Sequence, residues 1–356
     1  MTIKTAVCFS AMIVMVLWCN QGAVAQSVSQ PSGELTDTEA DDIRPANERS
    51  SFFNEAWVYH IYLDDGTQLY LSYMLANFGT FMSAVSGGRL SVIDFDGEYY
   101  QVARQYDLDE LQLEEENHRM QLRPGRNIWF EGSLPDTHRV RYETSKDGVS
   151  YDLDLKFADI QQGKRWGDGN FKADGEDISI QMHIPYSRVE GRLRINDTEK
   201  QVSGTAYMDH TYQSTITPRV LSSGYRYIYH GDKNDYEIGY TLIPEDKQST
   251  ENIVGHALIK NSEGITLKKP EKLERGDKID FQGGRVPEKL RFRYNPSGTT
   301  RIEVTEGRER LSFLSEVGGL RKRIARSYLR GEVINYRGVG RLNGDKRIFL
   351  NYFLVE

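Results

Sequence analysis

Gly204-Thr205-Ala206-Tyr207-Met208-Asp209-His210-Thr211-Tyr212 sets a carboxylate, an imidazole and two phenols in a segment that alternates like a β-strand. Period-2 geometry places Tyr207 and Asp209 on one face, and Ala206, Met208 and His210 on the other. If the first face lines a cavity, an acid and a phenol point together at whatever the cavity holds. The rest of the chain decides what kind of sheet this strand belongs to.

Working outward, the same form recurs. Trp57-Val58-Tyr59-His60-Ile61-Tyr62-Leu63 leads through Asp64-Asp65-Gly66 into Leu69-Tyr70-Leu71-Ser72-Tyr73-Met74-Leu75. This is a hairpin whose turn suits glycine at positive φ. Lys146-Asp147-Gly148 precedes Tyr151 to Phe157, where apolar and charged residues alternate as in a half-solvated antiparallel strand. Ile178 to Ile184, Val189 to Ile195, Tyr225 to Tyr229 and Tyr236 to Ile243 continue the series. Short aromatic-rich strands at this spacing indicate β-barrels or sandwiches.

The N-terminus reads differently. Lys4 precedes an apolar run from Ala6 to Trp18, and Ala23-Val24-Ala25 is a small-x-small cleavage site, so residues 1–25 are read as a signal peptide and the chain as exported, periplasmic or secreted. Both cysteines, Cys8 and Cys19, fall inside it, which removes disulfides, thiol catalysis and zinc–thiolate sites from the remainder. Residues 26–50 are polar and acidic and are read as a disordered arm. The net charge is −7, and −8 without Lys4, so there is no general attraction to nucleic acid or to anionic membrane.

The exception is a basic cluster of Arg321, Lys322, Arg323, Arg326 and Arg330. Leu320, Ile324 and Tyr328 recur at helical spacing among these residues, with Gly331 as a stop. Two readings are open: a short helix docked by this stripe with its basic residues in solvent, or peripheral contact of the basic residues with anionic lipid. The second requires the apolar stripe to be exposed.

Val189-Glu190-Gly191-Arg192-Leu193 with Gly204-Thr205-Ala206-Tyr207 is loosely echoed by Gly331-Glu332-Val333-Ile334 with Arg337-Gly338-Val339-Gly340, as in two similar units. Together with Asn54-Glu55-Ala56-Trp57-Val58-Tyr59 and Leu63-Asp64-Asp65-Gly66, the Gly204-x-Ala206-Tyr207-x-Asp209-His210 pattern resembles the carotenoid 1,2-hydratase (hydroxyneurosporene synthase), AttH and survival-factor group. The blocks span Phe52 to Tyr229. The resemblance implies an all-β fold of two lipocalin-like antiparallel domains side by side, residues 51–213 and 214–356, and apolar ligands such as lipids or isoprenoids. Two places depart from the group's pattern: Ala56-Trp57 stands for paired tryptophans, and Thr211-Tyr212-Gln213 for the Trp-Gly that follows Asp-His.

The candidate catalytic residues are Asp209 and Tyr207. Hydrating or cyclising an unactivated alkene requires protonation of carbon, and a carboxyl in an apolar cavity has the raised pKa such an acid needs. Trp57, Tyr59, Glu55, His210 and Tyr212 are the candidate ligand-binding residues, with Glu55 at a cavity mouth or in an ion pair. Neither a metal nor a cofactor is expected, since no His-x-His or His-x-x-x-His spacing and no dinucleotide or Gly-x-Ser-x-Gly element occurs. Two functions follow: an exported protein that binds an apolar ligand in a barrel or interdomain cavity, or a cofactor-free hydratase or cyclase with Asp209 as acid. The surroundings of Asp209 discriminate, because a salt bridge or bulk water at that carboxyl argues against the acid.

Overall fold

The alternating runs form long antiparallel strands. The structure, a computed structural model, describes residues 28–46, 52–79, 83–173, 176–244, 253–281, 283–295, 298–314 and 319–356. The expected signal segment, with both cysteines, lies outside them.

Two short strands come first, β1 (Val28–Ser29) and β2 (Leu35–Asp37). The first unit continues with β3 (Phe52–Leu63), β4 (Gln68–Phe78), β5 (Val85–Phe95), β6 (Glu98–Asp107), β7 (Gln112–Glu114), β8 (Arg119–Gln121) and β9 (Ile128–Glu131). It ends with β10 (His138–Lys146), β11 (Val149–Ala158), β12 (Lys164–Trp166), β13 (Asn170–Ala173), β14 (Glu176–Ile195) and β15 (Thr198–Gln213). These make one sheet in the order β6-β5-β4-β3-β15-β14-β11-β10-β9-β8-β7, curled but open between its two ends.

After the one-turn α1 (Thr217–Val220), the second unit has β16 (Leu221–Asp232), β17 (Asp235–Pro244), β18 (Val254–Asn261), β19 (Gly264–Arg275), β20 (Lys278–Phe281), β21 (Gly284–Pro287) and β22 (Lys289–Asn295). It finishes with β23 (Thr299–Ser312), α2 (Gly319–Leu329), β24 (Val333–Leu342) and β25 (Lys346–Val355). Eight of these strands close a barrel, and β20 and β21 form a separate hairpin. In both units the last strand returns to the first: Gly204 of β15 pairs with Leu63 of β3, and Tyr352 of β25 with Tyr225 of β16. The glycine-rich echo does not mark that return in both units: Gly204 lies on the returning strand β15, but Gly338 and Gly340 lie on β24, the strand before the last.

Both interiors are filled by side chains. A Cβ on Gly88 would come within 3.0 Å of Leu122, Ile128 and Tyr142 across the first sheet. In the barrel, Phe281 of the hairpin packs against Tyr336, edge to face, in space left by Gly338, where a Cβ would come 2.7 Å from its ring. The cavity that remains beside Tyr225, Phe281, Tyr336 and Tyr352 is about 10 Å³.

Two expectations are corrected. The arm read as disordered is ordered over 28–46: β1 pairs with β13, β2 with β12, and Ile43 is buried in the core under Trp57, whose Nε1 donates to Ile43 O at 2.8 Å. A few anchored residues and backbone pairing on a sheet suffice where average composition reads as solvated. The helix also faces the other way from the docked reading. Ala325 is its buried residue, while Ile324 and Tyr328 are exposed. The side chains of Leu320 and Arg321 lie outside the described residues.

Candidate functional site

β15 is central in the first sheet, between β3 and β14. Its alternation therefore sorts side chains to two different places. Ala206 and Met208 enter the first unit's core. Tyr207 and Asp209 turn outward, and there the second barrel covers them. Tyr207 packs with Met182 and Tyr186 of its own unit and with Ile228, Tyr236, Ile238 and Leu258 of the barrel.

Asp209 is completely buried. Tyr207 Oη donates to Asp209 Oδ2 at 2.6 Å, and Arg226 Nη2, from the first barrel strand, meets the same oxygen at 2.7 Å. Burial pushes the Asp209 carboxyl above its ordinary pKa, opposed by the charge of Arg226 and the Tyr207 hydrogen bond. Burial disfavours the charged guanidinium too, but Asp209, with Tyr207 and Tyr240 around it, more than offsets that and the proton on Arg226 is held more tightly than usual. The pair is thus a buried carboxylate–guanidinium bridge between the two units. Oδ1 of Asp209 has no hydrogen-bond partner among the described residues.

Arg226 Nη1 also donates to His60 Nε2 at 3.3 Å. A guanidinium cannot accept, so this nitrogen of His60 is the acceptor of a neutral ring. Burial first, then Arg226 and Arg337, holds the His60 pKa well below its usual value. The polar contacts continue along the junction. His60 meets Tyr70 edge to face, and the Arg337 guanidinium lies 3.3 Å from the Tyr70 ring centre. Arg337 is ion-paired with Glu309, whose Oε1 accepts from Ser91 and Tyr99 of the first unit at 2.7 and 2.5 Å.

The expectation of an acid opening into an apolar cavity is therefore corrected. The face that carries Asp209 is the outside of one sheet, and the neighbouring barrel places an arginine on it. Sequence reading missed Arg226, His60, Arg337 and Glu309. The available signal was a lone arginine inside the aromatic run Tyr225-Arg226-Tyr227.

The other candidates gather at the end of the same strand. His210 Nε2 is 2.9 Å from Glu55 Oε1, which also accepts from the Ala46 N–H at 2.7 Å, so Glu55 is buried in hydrogen bonds to a histidine and a backbone amide rather than set at a cavity mouth. His210 stacks on Trp57 with ring centres 4.4 Å apart, and the His183 ring centre lies 5.7 Å from that of His210. Tyr59 Oη shares a hydrogen bond of 2.9 Å with His138 Nε2, inside the core. Tyr212 is half-buried against Phe53. His230 goes elsewhere, to Thr205 Oγ1 and Pro185 O.

None of these residues lines the cleft where the first sheet stays open. That cleft has a volume of about 590 Å³ and lies between β6 and the ends of β10 and β11. Arg104, Arg123, Arg126 and Arg194 line it, with Glu143 as its one acid. Tyr106 is half-buried at its wall, and Tyr151 beside it is buried in the core. Arg104 straddles the opening, its Nε donating to Thr144 Oγ1 at 2.7 Å and its Nη2 to Ser145 O. Arg123 pairs with Glu110 at 3.0 Å, and Arg194 with Asp152 at 3.3 Å. Glu143 is held by Arg141 and Asn127, and Arg126 is exposed at the rim. No sequence motif marks this site, because its residues come from strands far apart in the chain.

No protein-family model matches this chain, and no curated protein matches it in sequence. Solved structures do resemble it. A Nitrosomonas europaea protein assigned as an AttH superposes with a TM-score of 0.66 at 13% identity, covering 92% of this chain and 99% of that one. CghA in complex with Sch210972 gives 0.59 at 12% identity, over 93% and 98%. Kievitone hydratase from Nectria haematococca gives 0.51 at 12%, over 92% and 98%. The resemblance read from the Gly204–His210 pattern is borne out: this chain has the two-unit, lipocalin-like fold of the AttH and kievitone hydratase structures.

Proposed function

We propose that the chain is a lipocalin-like binding protein whose ligand is an amphiphile with an acidic group, held in the arginine-lined cleft of the first unit. One observation carries this reading. The open edge of the first sheet leaves about 590 Å³, within the range of small-molecule sites, whereas the cavity beside Phe281 and Tyr336 in the barrel is about 10 Å³. Guanidinium groups match a carboxylate or phosphate in plane and charge, which suits Arg104, Arg126 and Arg194 to an acidic end. The half-buried Tyr106 would take the apolar part on its ring. A lipid or isoprenoid with an acidic terminus satisfies both. The same reading has the chain exported with cleavage near Ala25, which N-terminal sequencing of the purified protein checks.

Mass spectrometry of ligand extracted from protein purified from its native host tests the class directly, and an acidic amphiphile is expected. Calorimetric titration with oleate and with oleyl alcohol then separates charge from chain. Oleate should bind at least tenfold more tightly, and R104Q/R126Q should lose about that advantage, since each charge-assisted hydrogen bond contributes about 1.5–3 kcal/mol. Equal affinity for acid and alcohol, or no effect of the double substitution, overturns the proposal.

A second reading keeps Asp209 as the acid of a cofactor-free hydratase or cyclase. The unpartnered Oδ1 of that buried carboxyl favours it, and one structural neighbour is a hydratase. Arg226 counts against it, because an ion-paired carboxylate has no proton to give. If an isoprenoid alkene co-purifies and is turned over, D209N decides: turnover unchanged in that variant removes Asp209 from the chemistry.

A further inference from the structure

A helix that docks on a barrel buries its apolar side chains, and α2 leaves two of its large ones outside while Ala325 is buried. Ile324 and Tyr328, one turn apart, are 52% and 41% exposed, and Phe313, just after β23, is 59% exposed. Phe313 and Ile324 are the most exposed large apolar side chains among the described residues. Both belong to one rim of the barrel. Phe313 N–H bonds to Val333 O, and the adjacent Glu332 receives Lys322 of the helix at 2.7 Å and Arg326 at 4.0 Å.

The charge around these side chains is one-sided. Residues 319–331 contain five Lys and Arg and neither Asp nor Glu, in a chain whose net charge is −7. Arg323, Arg326 and Arg330 are exposed on the helix and at its end. Arg219 reaches Tyr328 from α1, its guanidinium 5.8 Å from the ring. Glu332 neutralises only the Lys322 and Arg326 side of the helix and is itself buried.

We propose that α2, together with Phe313, is a membrane-docking surface for a bilayer containing anionic lipid. Arginines meet phosphate headgroups while Phe313, Ile324 and Tyr328 enter the interface between headgroups and acyl chains. The combination selects this occupant over nucleic acid, which offers phosphates but no apolar phase for three large exposed apolar side chains. Contact is at the surface: no helix among the described residues is long and apolar enough to cross a membrane. The overall negative charge of the chain would repel the rest of the molecule from the same lipids, so the cluster also sets the orientation in which the protein lands.

Sedimentation with phosphatidylcholine vesicles, with and without phosphatidylglycerol, tests this on the chain as purified. Binding to the mixed vesicles, lost in high salt and absent with phosphatidylcholine alone, is expected. R323Q/R326Q/R330Q should weaken it by roughly a hundredfold, at about fivefold per arginine. I324S/Y328S should weaken it by about tenfold or more while leaving the circular dichroism unchanged, because both side chains are exposed. Equal sedimentation with neutral and anionic vesicles overturns the proposal, as do variants that bind like wild type. Tighter binding to an oligonucleotide than to mixed vesicles would overturn it in favour of a nucleic-acid surface.

Discussion

At Asp209 the desolvation of a carboxylate is set against its attraction to Arg226, 2.7 Å away, and the hydrogen bond from Tyr207. Removing one partner keeps the cost and loses the compensation. D209N should therefore destabilise the protein by about 3–5 kcal/mol, because Arg226 stays buried without its counter-ion. Replacing both residues with leucine should recover most of that loss, since an apolar pair has nothing to desolvate. Urea unfolding of the two variants measures both, and a loss below about 1 kcal/mol in D209N would show that the guanidinium reaches water or another acceptor. At this scale the sequence was half legible. Tyr207 and Asp209, two residues apart on one strand, were bound to share a face, and they share a hydrogen bond. Arg226 was hidden because nothing in a strand's periodicity says which residue of another sheet will lie against its outer face.

The strands were the most legible elements because each carries its own alternation and its own turn. Asp64-Asp65-Gly66 makes the expected hairpin, with Gly66 at φ +96° and β3 paired residue by residue to β4. The arm and the helix were not, and for opposite reasons. The arm's anchors, Ile43 above all, are too sparse to show in composition, whereas the helix displays a periodic apolar pattern of which Ile324 and Tyr328 are left outside. The arm yields a direct test. Ile43 is buried against Trp57, so I43A should lose about 2–5 kcal/mol of the arm's attachment. The arm can open without unfolding the sheet beneath it, so the loss should appear as faster amide exchange confined to residues 28–46 and their strand partners. Protection unchanged there would mean that β1 and β2 hold the arm unaided.

At the scale of the whole molecule, the two-unit plan was legible from the family resemblance rather than from the glycine-rich echo, whose halves fall on non-equivalent strands, and the junction between the units was not. It is built as a core: Tyr207, Asp209, Arg226 and Arg337 are all buried there. Burial at this density also determines how the protein responds to acid. Five of its seven histidines, His60, His138, His183, His230 and His256, have pKa values lowered chiefly by burial, to about 3 for His138 and about 4 for His230 and His256. An unfolded histidine titrates near 6.5, so below that pH the unfolded chain binds protons that the native chain refuses. Stability is complete above about 6.5 and falls as the pH drops towards about 4, the folded value for His230 and His256. Each such histidine contributes a slope of at most about 1.4 kcal/mol per pH unit, so the three with defined values reach about 4 kcal/mol per unit together. Denaturant midpoints measured from neutral pH down through this window should therefore drop steeply well before most carboxylates titrate. Replacing His256, whose ring nitrogens have no hydrogen-bond partner among the described residues, with phenylalanine should flatten the slope by up to one histidine's share. Midpoints that stay level across the window would mean that these rings take up protons in the native state, and that their surroundings are wetter than the packing implies.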